Sequence, residues 1–236
     1  MIWVKSAESD EVEHGLSVEN SEFDRKQHWE KVYGNKPAQQ TSWYQKEPRL
    51  SLLMIANAEL DHGAAMIDVG GGASLLVDYL LGLGYRDLSV LDISRAALDQ
   101  ARTRLGEAAS RINWIEADVT SYVADRQFAL WHDRAAFHFL TAKQDRLQYI
   151  QVLRKSLAPG GQAVIAAFAP RGPAKCSGLD IVRYDAVKLG DELGPEFILE
   201  EQEEELHLTP AKKEQLFSFF RFRRTQEGKN DRTNTD

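Results

Sequence analysis

The chain has 236 residues, a formal net charge of −7 and a single cysteine, Cys176. This length suffices for one well-buried α/β domain and is short for two. The acidic charge argues against nucleic acid as a main partner, and a lone cysteine excludes an internal disulfide and a thiolate metal cage.

The composition also sets the expected location. A chain without disulfides fits a reducing compartment, and its acidic start lacks the long apolar stretch of a signal peptide. No apolar run approaches the roughly 18 residues that a membrane span needs. We therefore expect a cytoplasmic protein without a membrane partner. The carboxylates show no metal-ligand spacing, so we expect no metal site.

The amino-terminal part predicts a flexible lead followed by a helical lid. Residues 1–22 are polar and acidic, and we expect a flexible segment there. Residues 24–33 predict a helix capped by Asp24, and residues 50–60 predict a second helix. The loop between them contains two adjacent aromatic residues, Trp43 and Tyr44. Either these side chains pack the loop onto the core, or they close over a ligand. We expect this lid, residues 23–60, to belong to one domain that covers residues 23–224.

A glycine-rich turn follows the first predicted strand. The apolar residues 64–67 lead to Asp68, three glycines come at Gly70, Gly71 and Gly72, and residues 75–83 have helical apolar spacing. Such glycines let the backbone approach a ligand closely, and the carboxyl end of a strand is where open α/β sheets bind ligands. A purely structural turn is the alternative.

A second acidic strand end makes a nucleoside ligand the better interpretation. Residues 89–91 predict a strand that ends at Asp92, about 20 residues past the glycines, where a carboxylate can reach a ribose. The dinucleotide fingerprint is absent because Leu75 occupies its last glycine position, and the turn has no lysine of a phosphate loop.

The remaining pattern predicts a doubly wound α/β fold. Strands over residues 112–115, 128–131 and 162–168 alternate with helices near residues 98–105 and 143–157, which predicts a mostly parallel sheet. A loop with Cys176 and a short helix over residues 185–193 follow. Two strands, residues 197–207 and 215–223, then predict an antiparallel pair at the sheet edge, and we expect a disordered tail over residues 225–236.

The motifs resemble the class I S-adenosylmethionine-dependent methyltransferases over residues 24–224. The resemblance rests on the acid-x-Gly-x-Gly pattern at residues 68–72 and on Leu-Ala-Pro-Gly-Gly at residues 157–161. It implies a seven-stranded, Rossmann-like sheet with an antiparallel last strand pair. The stretches HWEKVYGNKPAQQTSWYQKEP and WHDRAAFHFL resemble small bacterial-type methyltransferases and, distantly, thiopurine, thiol and halide methyltransferases. Ser74 stands where the family usually has a third glycine, and it is a candidate helix N-cap.

The resemblance implies S-adenosyl-L-methionine as the cofactor and assigns residues to it. Asp68 and the glycine turn would line the methionine and ribose part, Asp92 would hold the ribose hydroxyls, and His132 would lie beside the methionine end. The full set of implied cofactor residues is Trp43, Asp68, Gly70, Gly71, Gly72, Asp92, Ile93, Asp118, Val119 and His132. Of these, Ile93 would pack on the adenine, Asp118 would accept from its amino group with Val119 adjacent, and Trp43 would close over the cofactor.

Two histidines are candidate catalytic residues. Methyl transfer from a sulfonium needs a general base only when the nucleophile arrives protonated, and imidazole titrates near neutral pH. We therefore consider His132 and His138, although His138 lies among phenylalanines and is more consistent with a core position. Asp133 is more consistent with a turn cap or an ion pair, and Cys176 with a bystander.

The sequence thus predicts a methyltransferase that acts on a small-molecule acceptor of the thiol or carboxylate type. A protein lysine methyltransferase is a second interpretation, disfavoured because residues 131–134 read Trp-His-Asp-Arg instead of an Asn/Asp-Pro-Pro-Tyr motif. A non-catalytic S-adenosylmethionine-binding protein is a third, and a nicotinamide oxidoreductase a distant fourth. The oligomeric state is not predicted.

Overall fold

A seven-stranded sheet organises residues 24–225, the part of the chain that the computed structural model describes. Its strand order is β3-β2-β1-β4-β5-β9-β8. The strands are β1 (Met66–Val69), β2 (Leu88–Asp92), β3 (Ile112–Glu116), β4 (Phe128–Arg134), β5 (Leu157–Phe168), β8 (Phe197–Leu208) and β9 (Glu214–Arg224). The first five are parallel, and β9 is antiparallel to both β5 and β8. The predicted fold class is confirmed.

Helices cover both faces of this sheet. They are α1 (Arg25–Asn35), α2 (Arg49–Ala56), α3 (Leu76–Gly82), α4 (Arg95–Leu105), α5 (Lys143–Ser156) and α6 (Ala186–Leu193). Apolar side chains of α2, α3 and α4 join one core cluster, and those of α5 and α6 join the other. The strands between them are therefore buried on both sides, as parallel strands require.

Strand β9 shows how both clusters meet the sheet. Phe217 and Phe219 belong to the cluster with α2 and α3, whereas Phe220 and Phe222 belong to the cluster with α5. All four are at most 1% exposed. These phenylalanines therefore anchor β9 in the core on both faces of the sheet.

Three local features differ from the sequence prediction. Ser74 is not the N-cap of α3, because Leu75 holds that position; the Ser74 hydroxyl accepts from the N–H of Leu76 instead. Strand β5 begins at Leu157, so the Pro-Gly-Gly segment continues as strand rather than as a loop. The predicted loop around Cys176 contains a hairpin of β6 (Lys175–Cys176) and β7 (Leu179–Asp180).

The hairpin has a backbone explanation. Its two turn residues, Ser177 and Gly178, have φ values of 51° and 80°. Positive φ at both central positions is typical of the two-residue turns that match the twist of antiparallel strands. A serine in this conformation is uncommon, which is why the sequence pattern predicted only a loop.

The helix predicted at residues 24–33 is α1, and its cap is confirmed, since Asp24 Oδ1 accepts from the N–H of Gln27 at 2.9 Å. The flexible segment predicted for residues 1–22 lies outside the described residues, as does the predicted tail from residue 226. Within residues 24–225, no helix is both long and apolar enough to cross a membrane.

Candidate cofactor and acceptor site

The strand order reverses between β1 and β4, and the predicted site residues gather where these strands end. In the register, Asp68 of β1 pairs with His132 of β4, and Val69 pairs with Asp133. Asp92 ends β2 on the other side of β1. A crevice at such a reversal, outside the carboxyl ends of the strands, is the usual ligand site of an open α/β sheet.

The glycine turn after β1 is shaped by close neighbours. A Cβ at Gly70 would lie 2.6 Å from the Cβ of Ala136, and one at Gly72 would lie 2.5 Å from Asp92 Oδ2. Both residues also have positive φ, 66° and 35°. These two positions therefore require glycine, because a side chain would collide and the backbone conformation would be strained.

The turn does not present all its N–H groups to a ligand. The N–H groups of Gly70 and Gly71 both donate to the carbonyl of Leu91, at 2.7 and 3.3 Å. The first two glycines thus tie β1 to β2, and their contribution to a ligand is the open space above them.

Asp92 is a buried carboxylate that faces a cavity. Asp92 is 6% exposed, and its Oδ1 accepts from the N–H of Ser94 at 2.8 Å. Burial raises the pKa of Asp92 to about 7, with the nearby Asp68 acting in the same direction. A buried carboxylate with so little compensation has free acceptor capacity, which suits the two hydroxyls of a ribose.

Two cavities lie above the strand ends. The first is lined by six of the predicted cofactor residues, Trp43, Gly70, Asp92, Ile93, Asp118 and Val119. The second is lined by Asp68, Gly71 and His132, and again by Gly70 and Trp43. The structure therefore brings together every predicted cofactor residue except Gly72, which packs behind Asp92.

Helix α1 covers the first cavity, a contribution that the sequence analysis did not assign to particular residues. Arg25, Trp29 and Tyr33 of α1 line the cavity. Arg25 pairs with Asp118 and with Asp145, each at 2.9 Å. Since Asp118 Oδ1 also accepts from Thr120, the carboxylate predicted to accept from the adenine already has partners.

The amino-terminal end of α4 fixes α1 at a second point. Glu30 of α1 accepts from the N–H groups of Arg95 and Ala96, at 2.7 and 3.1 Å. These N–H groups lack partners within their own helix, and a carboxylate there is favoured by the helix dipole. The lid is thus held by polar contacts on both sides of the cavity.

Trp43 has an aromatic environment within this lid. Its indole N–H donates to the Tyr33 hydroxyl at 3.1 Å, and its ring meets that of Trp29 edge to face at 5.6 Å. The sequence left two interpretations of this residue open. The structure combines them, because Trp43 packs on the core and lines both cavities.

His132 has hydrogen bonds at both ring nitrogens. Nδ1 lies 2.7 Å from Asp68 Oδ1, and Nε2 lies 2.9 Å from the hydroxyl of Ser51 on α2. With the carboxylate accepting, Nδ1 carries the proton and Nε2 accepts from Ser51. This arrangement orients Asp68 and leaves His132 without a free nitrogen for a substrate proton. Its catalytic role stays a prediction that the geometry does not favour.

His138 lies behind the wall of the site. It is 0% exposed, it lines neither cavity, and its neighbours include the rings of Phe168 and Phe217. Burial lowers its pKa to about 3, so the ring is neutral at physiological pH. The alternative interpretation of His138 as a core residue fits this position, and its catalytic role stays a prediction without geometric support.

Asp133 belongs to a buried network that shapes the loop after β4. Its carboxylate accepts from the N–H groups of Ala136 and Phe137 and from the Tyr149 hydroxyl at 2.7 Å. The Tyr149 oxygen in turn accepts from the indole of Trp131 at 2.8 Å. The expectation that Asp133 caps a turn is confirmed, and the cap places Ala136 against Gly70.

Arg134 is the main site residue that sequence reasoning missed. It lies on the same face of β4 as His132, two residues on, and it lines both cavities. Its position in an alternating strand after His132 was the pattern that could have identified it. Within the described part of the chain, no group of three or more His, Cys, Asp or Glu side chains has the arrangement of a metal site.

Comparison with known proteins gives this site a family. The sequence profile of the family described as "Methyltransferase domain" matches residues 66–161, which run from β1 through the glycine turn to β5. Residues 66–161 therefore correspond to a methyltransferase domain. S-adenosyl-L-methionine is the cofactor of such domains, and the buried, unneutralised Asp92 beside an open glycine turn fits its adenosine part.

Solved structures share the fold of this chain at low sequence identity. A protein from a study of the conversion of a disulfide bond into a thioacetal group during echinomycin biosynthesis has a TM-score of 0.70 and 18% identity, covering 86% of this chain and 93% of its own. The Burkholderia thailandensis 1,6-didemethyltoxoflavin-N1-methyltransferase has a TM-score of 0.62 and 17% identity, covering 85% and 84%. At these identities the likeness shows the fold.

A curated relative gives a shorter match. The Mus musculus "eEF1A lysine and N-terminal methyltransferase" is 23% identical over 140 residues, which are 59% of this chain. The matched part is only 20% of that relative's length.

Proposed function

We propose that this chain transfers the methyl group of S-adenosylmethionine to a small-molecule acceptor of the thiol or carboxylate type. The observation that carries the proposal is the placement of Asp92, Ile93, Asp118 and Val119 around one cavity beside the glycine turn. In this arrangement Asp92 holds the ribose hydroxyls, and Ile93 and Val119 contact the adenine.

The lid supports a small acceptor. Trp29, Tyr33 and Trp43 roof the first cavity, and Arg25 closes its rim through the pair with Asp118. With the adenosine in this largely apolar cavity, the lid excludes water and orients the cofactor toward its acceptor, and orientation supplies much of the acceleration in such a reaction.

Methyl transfer from a sulfonium requires few catalytic groups from the protein. The cofactor supplies an activated methyl group on a sulfonium: the nucleophile forms a bond to the methyl carbon, the carbon–sulfur bond breaks, and its electron pair stays on sulfur. The protein's residues bind, orient and exclude water. Within residues 24–225, neither cavity is lined by a histidine with a free ring nitrogen, which favours an acceptor that is already deprotonated at neutral pH.

Protein methylation is the second candidate function, because the name of the mouse relative describes lysine and N-terminal methylation. An amine needs a base to remove its proton, and a protein substrate needs an open groove. The lid contacts from Arg25 and Glu30 favour the small molecule instead.

The testing experiment is transfer of a labelled methyl group from S-adenosylmethionine to a panel of small thiols, carboxylic acids and lysine-containing peptides. We expect label in a small acceptor with wild-type protein and none with Asp92→Ala. Label in the peptides alone would support the second candidate. Tight cofactor binding without label in any acceptor would leave a binding protein as the function.

A further inference from the structure

The guanidinium of Arg134 is buried at the junction of the two cavities. Its side chain is 10% exposed, and its Cζ lies 4.5 Å from the centre of the Phe217 ring. Nη1 donates to the carbonyl of Trp43 at 2.9 Å. The positive charge of Arg134 thus lies against the Trp43 backbone of the lid.

Two donors of this guanidinium have no hydrogen-bond partner among residues 24–225. These are Nε and Nη2, and the nearest carboxylate oxygen, Oε2 of Glu205, is 3.9 Å from Nη2. Leaving donors of a buried charged group unpaired is unfavourable, so such donors point to a ligand. Nε and Nη2 form one edge of the guanidinium, and that edge matches the two oxygens of a carboxylate.

The sheet order separates Arg134 from the residues predicted to bind adenosine. The adenosine residues Asp92 and Asp118 belong to the ends of β2 and β3, on one side of β1. Arg134 ends β4 on the other side and leans toward β9 and β8 through Phe217 and Glu205. The adenosine contacts therefore lie on the opposite side of β1 from Arg134, and the β4 side borders the methionine end of the cofactor and the acceptor.

Within residues 24–225, neither candidate histidine is placed to act as a base, which agrees with an ionised acceptor. Both ring nitrogens of His132 are engaged by Asp68 and Ser51, and His138 lines neither cavity. A carboxylic acid is deprotonated at neutral pH and needs no base, whereas most of a thiol's population would still carry its proton.

We infer that Arg134 binds a carboxylate of the methyl acceptor through its Nε–Nη2 edge, so that the acceptor is a small carboxylic acid. This inference rests on the proposed function and narrows it. The methionine carboxylate of the cofactor is the other source of the same chemistry, and the experiment separates the two.

The probe is a panel of small carboxylic acids, each paired with its neutral primary amide, presented to the protein in two assays. One assay measures stabilisation of the S-adenosylhomocysteine-saturated protein, and the other measures S-adenosylhomocysteine formed from S-adenosylmethionine. We expect acids, and not their amides, to bind and react. Arg134→Gln should weaken their binding about tenfold or more and leave S-adenosylhomocysteine affinity within about twofold.

Two further variants complete the design. Arg134→Lys keeps the positive charge and loses the paired N–H donors of the guanidinium, so it should retain only part of the affinity for acids. It replaces Arg134→Gln in the comparison with the wild-type protein if Arg134→Gln does not fold. Arg171→Gln removes an exposed arginine whose side chain is 81% accessible, and it should change neither assay.

Several outcomes would overturn the inference. Amides that perform as well as acids, or acids whose binding ignores Arg134→Gln, would exclude a carboxylate contact. A parallel loss of S-adenosylhomocysteine affinity in Arg134→Gln would assign the guanidinium to the methionine carboxylate. Failure of every acid to bind the saturated wild-type protein would also contradict it. Failure of S-adenosylhomocysteine itself to bind would contradict the proposed function instead.

Discussion

Asp92 is the single side chain on which the proposed ribose contact depends. Its carboxylate is buried, accepts one backbone N–H from Ser94 and faces the cavity. Replacing it by asparagine keeps the shape and removes the charge that favours hydroxyl donors. We expect Asp92→Asn to weaken S-adenosylhomocysteine binding about tenfold or more by isothermal calorimetry at pH 8. The exposed Asp99→Asn is the matched control, and equal affinities in the two variants would refute the ribose assignment.

The same substitution should stabilise the ligand-free protein. Burial raises the folded-state pKa of Asp92 to about 7 from an ordinary 3.8. Between these values the folded state holds a proton that the unfolded chain does not, so this group's contribution to stability is lost as the pH rises toward 7. Asp92→Asn should therefore raise the free energy of unfolding by about 2–4 kcal/mol at pH 8 and by less at pH 5. Urea denaturation at both pH values checks this, and a gain that does not grow with pH would contradict it.

Sequence reasoning at the residue level worked where spacing carries the information. Asp68 and Asp92 follow apolar runs, and parallel strands bring such ends together, so both were found. Arg134, Ser51 and Arg25 were missed. Their roles depend on how α1, α2 and the Trp43 segment fold back over the sheet, and no local pattern encodes those distances.

The glycine turn tests the account at the level of the element. An alanine at Gly70 would have positive φ and a Cβ 2.6 Å from Ala136, whereas one at Gly106 would have positive φ and open space. We expect Gly106→Ala to lower the free energy of unfolding by about 1–2 kcal/mol, and Gly70→Ala by about 1–3 kcal/mol more. Urea titration measures both, and equal losses would show that the contact with Ala136 is relieved without strain.

The loop after β4 offers a second test at this level. Tyr149→Phe would leave the indole N–H of Trp131 without its buried partner and would remove one of the donors to the Asp133 carboxylate. We expect a loss of about 1–3 kcal/mol in the free energy of unfolding. Tyr79→Phe is the control, because the Tyr79 hydroxyl bond to the Lys46 carbonyl is exposed, and it should cost less than about 0.5 kcal/mol. Similar losses in the two variants would contradict the structural role of the network.

Elements themselves were predicted well because their periodicity is strong. The parallel strands and α5 match the apolar spacing of the sequence. The failures are turns: the β6–β7 hairpin depends on Ser177 with positive φ, and β5 continues through Pro159 and two glycines. The hairpin pairs Lys175 with Asp180, whereas residues 158–161 form an irregularity between the paired residues Leu157 and Gln162 of β5.

For the whole molecule, the lid predicts how the cofactor exchanges. Arg25 joins α1 to Asp118 and Asp145 across the first cavity, and these side chains are 26–31% exposed. Arg25→Gln should speed S-adenosylhomocysteine dissociation about three- to tenfold. Added salt should bring the dissociation rates of the variant and the wild-type protein closer together, because exposed ion pairs are screened. Stopped-flow displacement measures the rate. Arg126→Gln removes a surface pair with Asp87 as the control, and identical rates in both variants would contradict a lid held by Arg25.

The most direct test of the central claim is a crystal structure of this protein with S-adenosylhomocysteine. We expect the ribose hydroxyls to lie within hydrogen-bond distance of Asp92, the adenine to lie between Ile93 and Val119, and the thioether to lie above Gly70. Adenosine bound elsewhere, or a cavity left empty at saturating ligand, would contradict it.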